Sequence, residues 1–173
     1  QYIKNSIAQI APHYTMKRQL DDYFSKFYNK MAKRFHMLAA NNCTKAKELA
    51  AWKEKIVDKW DSIEIKYVSV NGEPNQMAIE CGKDYDLEVV IDEKGLDNAI
   101  GIEVVTVVID KEGKQHIYSA EEFELVKKEG DLHTFRVKYN LSNAGSFKVA
   151  FRMFPKNVDL PHRQDFCYVR WFN

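Results

Sequence analysis

What this sequence has least of is clustered chemistry. Its three cysteines, Cys43, Cys81 and Cys167, are odd in number, far apart and free of any C-x-x-C pair, which argues against a disulfide framework and against a cysteine zinc site. They are expected to be reduced, half-buried thiols, with Cys81 and Cys167 inert inside strand patterns rather than nucleophilic. The five histidines (His13, His36, His116, His133 and His162) form no H-x-x-x-H or H-x-H pair, so no metal-ligating pattern is present. The seven glycines are scattered at turns, and none falls in a G-x-G-x-x-G or G-x-x-x-x-G-K run that could cradle a phosphate. No stretch approaches the roughly 20 consecutive apolar residues of a membrane helix, and nothing resembles a signal peptide. A soluble, cytoplasmic protein is expected. No acid, base and nucleophile converge, so no catalytic, cofactor-binding or metal-binding residue is assigned.

What the sequence does have is apolar patterning. Its 173 residues, 45% of them hydrophobic, can bury a core and suit one large domain or two small ones. The chain opens on Gln1, and Tyr2, Ile3, Ile7 and Ile10 already show helical spacing, so it is expected to be a piece of something longer. The net charge of +1 is unevenly placed. Residues 1–60 carry 12 Lys and Arg against 5 Asp and Glu, whereas the remainder carries 14 against 20. A basic first part suits either nucleic acid or an acidic neighbouring domain; the excess is modest, and nucleic acid is not among the expected partners.

In the first 60 residues apolar positions recur every three or four. Met16, Leu20, Tyr23, Phe24, Phe27, Met31, Phe35 and Leu38 form one stripe, with Lys17, Lys26, Lys30 and Lys33 largely off it, which predicts a long amphipathic helix. Pro12 ends a shorter helix before it, Thr15 is its expected N-cap, and Asn41 and Asn42 break the chain after it. A third helix carries Ala46, Leu49, Ala50, Ile56, Val57 and Trp60. From Asp61 the period falls to two, starting with Ile63, Ile65 and Tyr67. Further strands are expected at 77–81, 84–91, 101–109, 115–119, 122–127, 132–139, 146–154 and 166–172. Turn signals stand at Asn71-Gly72, Glu112-Gly113, Glu129-Gly130 and 143–145. The run Val104 to Ile109 is apolar on both faces and predicts a central or covered strand. The expected fold is therefore α+β by segregated segments: a three-helix segment over 1–60, then an antiparallel, immunoglobulin-like β-sandwich over 61–173. The Cys-Trp-Cys hallmark of antibody domains is missing, so the expectation concerns architecture alone.

Aromatic residues are the ambiguous class. At helical spacing, Tyr14, Tyr23, Phe24, Phe27, Tyr28 and Phe35 read more readily as packing than as a stacking platform. In the β part, Tyr118, Tyr168 and Trp171 are candidates for stacking on sugar rings provided they share an exposed face, although strand aromatics usually fill the space between sheets.

Two segments resemble a known family. Ile3 to Tyr28 reads IKNSIAQIAPHYTMKRQLDDYFSKFY, and Leu49 to Trp60 reads LAAWKEKIVDKW. Both are similar to the bacterial α-glucan (glycogen or maltodextrin) phosphorylases of the shorter, non-mammalian type. The family's Arg/Lys-Met segment and its Y-x-x-x-Y-like helix are matched by Tyr14-Thr15-Met16-Lys17-Arg18 with Tyr23, Phe27 and Tyr28. Its A-W-K-x-x-(I/V)-x-x-x-W helix leading into an I-x-I strand is matched by Ala51, Trp52, Lys53, Ile56, Trp60, Ile63 and Ile65. The resemblance runs more loosely through Gly95-Leu96-Asp97, residues 143–145 and Phe151 to Pro155.

The resemblance implies a parent glycosyltransferase whose lysine-held pyridoxal phosphate places its phosphate near the inorganic phosphate that cleaves an α-1,4-glucosidic bond, releasing glucose 1-phosphate. It carries no catalytic residue onto this chain, which is expected to be non-catalytic and to hold no cofactor itself. Residues 1 to about 40 would pack on the catalytic lobes of the same polypeptide, with Tyr14, Met16, Arg18, Tyr23, Phe27 and Tyr28 as candidate docking residues. The expected partners are those lobes, a candidate α-glucan and a candidate second copy of the chain; neither a membrane nor nucleic acid is expected. The competing expectation is a stand-alone carbohydrate-binding or protein-interaction β-sandwich module.

Overall fold

Helical geometry begins at Tyr2 and ends in a 3-10 turn, Trp60–Ser62, with its course set by a few local devices. Helix α1, Tyr2–Asn5, continues into a π turn, Ser6–Ile10, and a 3-10 turn, Ala11–Tyr14. Pro12 lies in the first positions of that last turn, where a missing N–H removes no helical hydrogen bond. Helix α2, Met16–Tyr23, is capped as the sequence indicated: the Arg18 N–H donates to the Thr15 hydroxyl at 3.2 Å, satisfying one of the orphan donors of the first turn. A second π turn, Phe24–Tyr28, leads into α3, Asn29–Lys59. Inside α3 the backbone turns non-helical at Ala40 and left-handed at Asn41, Asn42 and Cys43, with φ of 50°, 56° and 61°. Asparagine tolerates that region better than other side chains with a Cβ, and the break expected at Asn41 and Asn42 coincides with it.

The computed structural model describes residues 1–74, 79–142 and 147–172. The chain divides into two compact units, Gln1–Ala51 and Trp52–Asn173. The second unit holds every strand: β1 Glu64–Val70, β2 Glu73–Pro74, β3 Asp84–Asp92, β4 Ile100–Ile109, β5 Gln115–Glu122, β6 Glu124–Glu129, β7 Leu132–Asn140, β8 Phe147–Pro155 and β9 Arg170–Phe172. One sheet has the order β2-β1-β3-β7-β6 and the other β5-β4-β8-β9, and all pairings are antiparallel. The architecture is thus a helical segment followed by antiparallel sheets. As its two-sided apolar pattern requires, β4 lies between β5 and β8.

Several strand expectations change. The strand β2 was not foreseen: Asn71 and Gly72, with φ of 51° and 81°, form a two-residue reversal that brings Glu73 opposite Val70. Of the expected strand at 77–81, residues 77 and 78 lie outside the described residues and Ile79–Cys81 are not in a strand. The turn expected at 143–145 also lies outside them. The strand expected at 166–172 shortens to Arg170–Phe172 because a 3-10 turn, Arg163–Asp165, precedes it and sends Phe166 and Tyr168 into an aromatic cluster. The cysteines, expected to be half-buried, are all exposed. Cys43 lies in the left-handed stretch, Cys81 precedes the turn residue Gly82, and the Cys167 thiol donates to the Gln164 carbonyl ahead of β9.

Both sheets close on one core. Leu87, Val89 and Ile91 of β3, Ile102 and Val104 of β4 and Phe151 and Met153 of β8 are buried together, and Ile56 and Trp60 from the end of α3 join them. An aromatic ladder links that helix end to the last segment. The Trp52 and Phe166 rings lie 5.6 Å apart, Phe166 and Tyr168 4.9 Å, and Tyr168 and Trp60 5.5 Å. The Arg170 guanidinium donates to the carbonyls of Trp60 and Ile63, tying β9 to the helix-to-strand junction. Its pKa is lowered by burial. Across the sheets, the Tyr139 hydroxyl meets the Thr106 hydroxyl, and burial pushes the Tyr139 phenol up.

Two features carry measurable stability. Glu93 and His133 are both buried, with Oε1 and Nδ1 2.8 Å apart; the approach is close but not aligned as a hydrogen bond. The other Glu93 oxygen accepts the N–H groups of Asn98 at 2.7 Å and Ala99 at 3.2 Å, which fastens a β3–β4 loop containing the left-handed residues Lys94, Gly95, Asp97 and Asn98. Glu93→Ala should lower unfolding free energy by about 3 kcal/mol, because it removes the acceptor of both loop N–H groups and leaves a cavity beside the buried His133; a loss below about 1 kcal/mol in urea denaturation would show that Glu93 does not hold the loop. At Gly101, a Cβ would meet the Phe154 ring at 2.6 Å, and the Arg163 guanidinium stacks on that same ring at 3.8 Å. Gly101→Ala should therefore cost about 1–3 kcal/mol by displacing the ring, and an unchanged melting temperature would contradict this packing.

Candidate docking surface

An amphipathic helix in water normally hides its apolar stripe, yet no residue of Gln1–Tyr28 is buried. Tyr14 is 78% exposed, Met16 69% and Phe27 53%. Leu20, Tyr23, Phe24, Tyr28, Met31 and Phe35 are likewise exposed. Exposed apolar side chains at this spacing make the segment a candidate docking surface.

The local fold gathers part of the stripe. Tyr14, Arg18, Tyr23 and Phe27 line one groove of about 480 Å³ together with Asp22 and Lys26. Arg18 lies 5.9 Å from the centre of the Tyr14 ring and donates to Asp22 at 2.8 Å, while Lys26 reaches the other Asp22 oxygen at 3.4 Å. The π turn matters here: an ordinary α-helix puts residues five apart on different sides, whereas an i→i+5 turn brings them together. Tyr23 and Tyr28 are accordingly stacked, with centroids 6.1 Å apart and planes 22° apart, and Tyr23 and Phe27 lie 5.8 Å apart. Of the six candidate docking residues, four line the groove and Tyr28 joins them through Tyr23. Met16 does not line it. Asp22 and Gln19 were not singled out from the sequence, and Lys26 was placed off the stripe, although their i,i+4 spacing to Arg18, Tyr23 and Asp22 was a usable signal.

The three candidate glucan contacts do not form one platform. Tyr168 is half-buried in the ladder with Trp60 and Phe166. Trp171 on β9 is exposed, with the Arg152 guanidinium 5.2 Å from its centre. Tyr118 on β5 packs 5.4 Å from the Phe147 ring. The sequence reading also passed over a second concavity, of about 940 Å³, on the five-stranded sheet. Its signal was the alternation of charge along β3 and β7, where Asp86, Glu88, Arg136 and Lys138 recur every second residue.

Neither concavity fits a lysine-held phosphate cofactor. Lys26 is open to solvent beside Asp22, and Lys138 stands opposite Asp86 on the face of a sheet; a covalently held cofactor needs an enclosed lysine with phosphate donors around it. No group of His, Cys, Asp and Glu that could hold a metal ion occurs among the described residues. Among the described residues no helix is long and apolar enough to cross a membrane.

Comparison with known proteins gives two findings. A maltodextrin phosphorylase of Thermococcus litoralis is 26% identical over 178 residues, a match that covers 98% of this chain and 20% of that protein. The chain thus spans about a fifth of the length of the curated relative it matches. The family model described as glycogen phosphorylase C-terminal domain matches residues 60–173, beginning at the buried Trp60 where helix gives way to sheet. The chain therefore belongs to the glycogen phosphorylase C-terminal domain family.

Proposed function

We propose that this chain is the non-catalytic C-terminal region of a pyridoxal-phosphate-dependent α-1,4-glucan phosphorylase, whose helices dock on the catalytic lobes of the same polypeptide. The observation that carries the reading is the uncovered stripe: a unit in which Tyr14, Met16, Phe27 and Phe35 all face solvent has been selected for contact with something else. The 20% coverage of the relative is consistent with a large absent portion, and the excess of 12 basic over 5 acidic residues in 1–60 suits an acidic receiving surface. Tyr14, Met16, Arg18, Tyr23, Phe27 and Tyr28 make the contact. On this reading the helical segment comprises three helices divided at Pro12 and at Asn41–Asn42.

The β unit is immunoglobulin-like on the same proposal. In support, β1-β3-β7-β6 faces β5-β4-β8-β9, which follows the A-B-E-D and C′-C-F-G orders of that architecture when the strands are taken in sequence. Its task is stability and assembly. Pyridoxal phosphate, when bound in the lobes, supplies the phosphate chemistry that releases glucose 1-phosphate from glycogen or maltodextrin, and no residue of this chain takes part. A cytoplasmic location accompanies the reading.

The test uses the full-length polypeptide. Tyr23→Asp with Phe27→Asp should lower phosphate-dependent release of glucose 1-phosphate at least about tenfold, a loss equivalent to about 1.4 kcal/mol, whereas Ile117→Asp on β5 should leave it within about twofold. Parental activity and parental melting temperature in the double variant would overturn the docking assignment. Expressed by itself, the 173-residue chain should release no glucose 1-phosphate and should self-associate through its stripe. Sedimentation velocity is expected to show concentration dependence that Phe27→Asp reduces; a monomer at every concentration would contradict it.

A further inference from the structure

We propose that the outer face of the five-stranded sheet is a non-catalytic holding site for a segment of α-glucan. The concavity of about 940 Å³ there is of the size of natural small-molecule sites, and it lies on regular strands rather than on loops, which fixes its groups in space. Tyr67 comes from β1, Asp86 and Glu88 from β3, Arg136 and Lys138 from β7 and Glu124 from β6. The register places Glu124 opposite Arg136 and Arg136 opposite Glu88, with Asp86 opposite Lys138. The intervening residues Leu87, Val89, Phe135 and Tyr139 are buried in the core, so the six residues share the outward face by strand alternation.

This composition selects its ligand. Four carboxylates line the concavity, of which Glu122 is paired with Lys156 and Arg163; the other three nearly compensate the two cations, so a phosphate or a nucleic acid would meet as much repulsion as attraction. A vicinal hydroxyl pair both donates and accepts, and can bridge a carboxylate and a neighbouring guanidinium or ammonium at once. Arg136 is already bonded to Glu88, with the Arg136 side chain 63% and the Glu88 side chain 21% exposed. The guanidinium is therefore held in place while its remaining donors stay open to a ligand. The Tyr67 hydroxyl donates to the Gly72 carbonyl at 3.3 Å, which restrains the ring that lines the trough and offers apolar surface to the C–H side of a sugar. A neutral, hydroxyl-rich chain fits; its identity as an α-glucan rests on the phosphorylase reading above.

The experiment titrates maltoheptaose into the full 173-residue chain and follows backbone amide NMR shifts. Expected are saturable shifts centred on Tyr67, Glu88 and Arg136, with weak, millimolar affinity. Tyr67→Ala and Arg136→Gln should each weaken binding about threefold to tenfold, the loss of one ring contact or hydrogen bond, and Trp171→Ala should leave it within about twofold. Absence of saturable shifts at these residues overturns the proposal. So does equal binding of cellohexaose, which would show polyol adhesion without preference for the α-linkage. Burial of the same residues against another part of the intact polypeptide, seen as hydrogen-exchange protection that the isolated chain lacks, also overturns it. Glucose 1-phosphate release by the full-length polypeptide is measured in parallel. A silent trough in an active phosphorylase sinks only this proposal, while an occupied trough in an inactive one sinks only the phosphorylase reading.

Discussion

Burial of Ile56 and Trp60 among the sheet residues is the constraint on which the second unit depends. A two-sheet core is open at its ends, and here the last turns of α3 enter the same apolar cluster as β3, β4 and β8. The helix end cannot leave without exposing Ile56 and Trp60 themselves to water, a loss of about 1.5–3 kcal/mol for each large side chain exposed. Polar contacts then fix its orientation. Arg170 binds the carbonyls of Trp60 and Ile63, and Lys59 donates to the Lys94 carbonyl at 2.6 Å. This explains why Trp52–Lys59 belong with the strands as one compact unit, although their sequence pattern is that of a surface helix.

The first unit is built on the opposite principle. Its cap at Thr15 and its i,i+4 pairs, Lys17 with Asp21 and Arg18 with Asp22, satisfy local backbone and charge, but exposed pairs of this sort contribute little. Most helical stability in proteins comes from burying an apolar face, and no such burial occurs within Gln1–Tyr28. The two candidate surfaces of the chain are chemically unlike for this reason. One is apolar and aromatic with a basic margin, and the other is a nearly compensated array of charges on a regular sheet.

Much of the architecture was legible in the residues. The change from a period of three or four to a period of two near Asp61 divided helix from strand, and the turns at Asn71-Gly72 and Glu129-Gly130 fall where left-handed backbone is needed. Boundaries failed where tertiary contacts override alternation. Residues 166–169 read as strand because Phe166, Tyr168 and Val169 are apolar, yet Phe166 and Tyr168 are taken up by Trp52 and Trp60 from a distant part of the chain. The cysteines were misjudged because residue type is only a weak guide to burial when the position is a turn or a helix break. Of the candidate docking residues, helical spacing found the stripe but not the groove, since the π turn that brings Tyr23 over Tyr28 has no signature in a pattern built on 3.6 residues per turn.

What the sequence determined by itself was everything set by neighbours along the chain: the caps, the turns, the amphipathic periods, the separation of a basic helical part from an acidic β part, and the resemblance that the family match supports. Only the tertiary structure decided which strands pair, that Glu93 and His133 meet in the core, and that charges on β3, β6 and β7 assemble with Tyr67 of β1 into a single trough. Those outcomes depend on register between segments tens of residues apart. Alternation along one strand specifies which face a side chain takes, but carries no information about which partner stands opposite it.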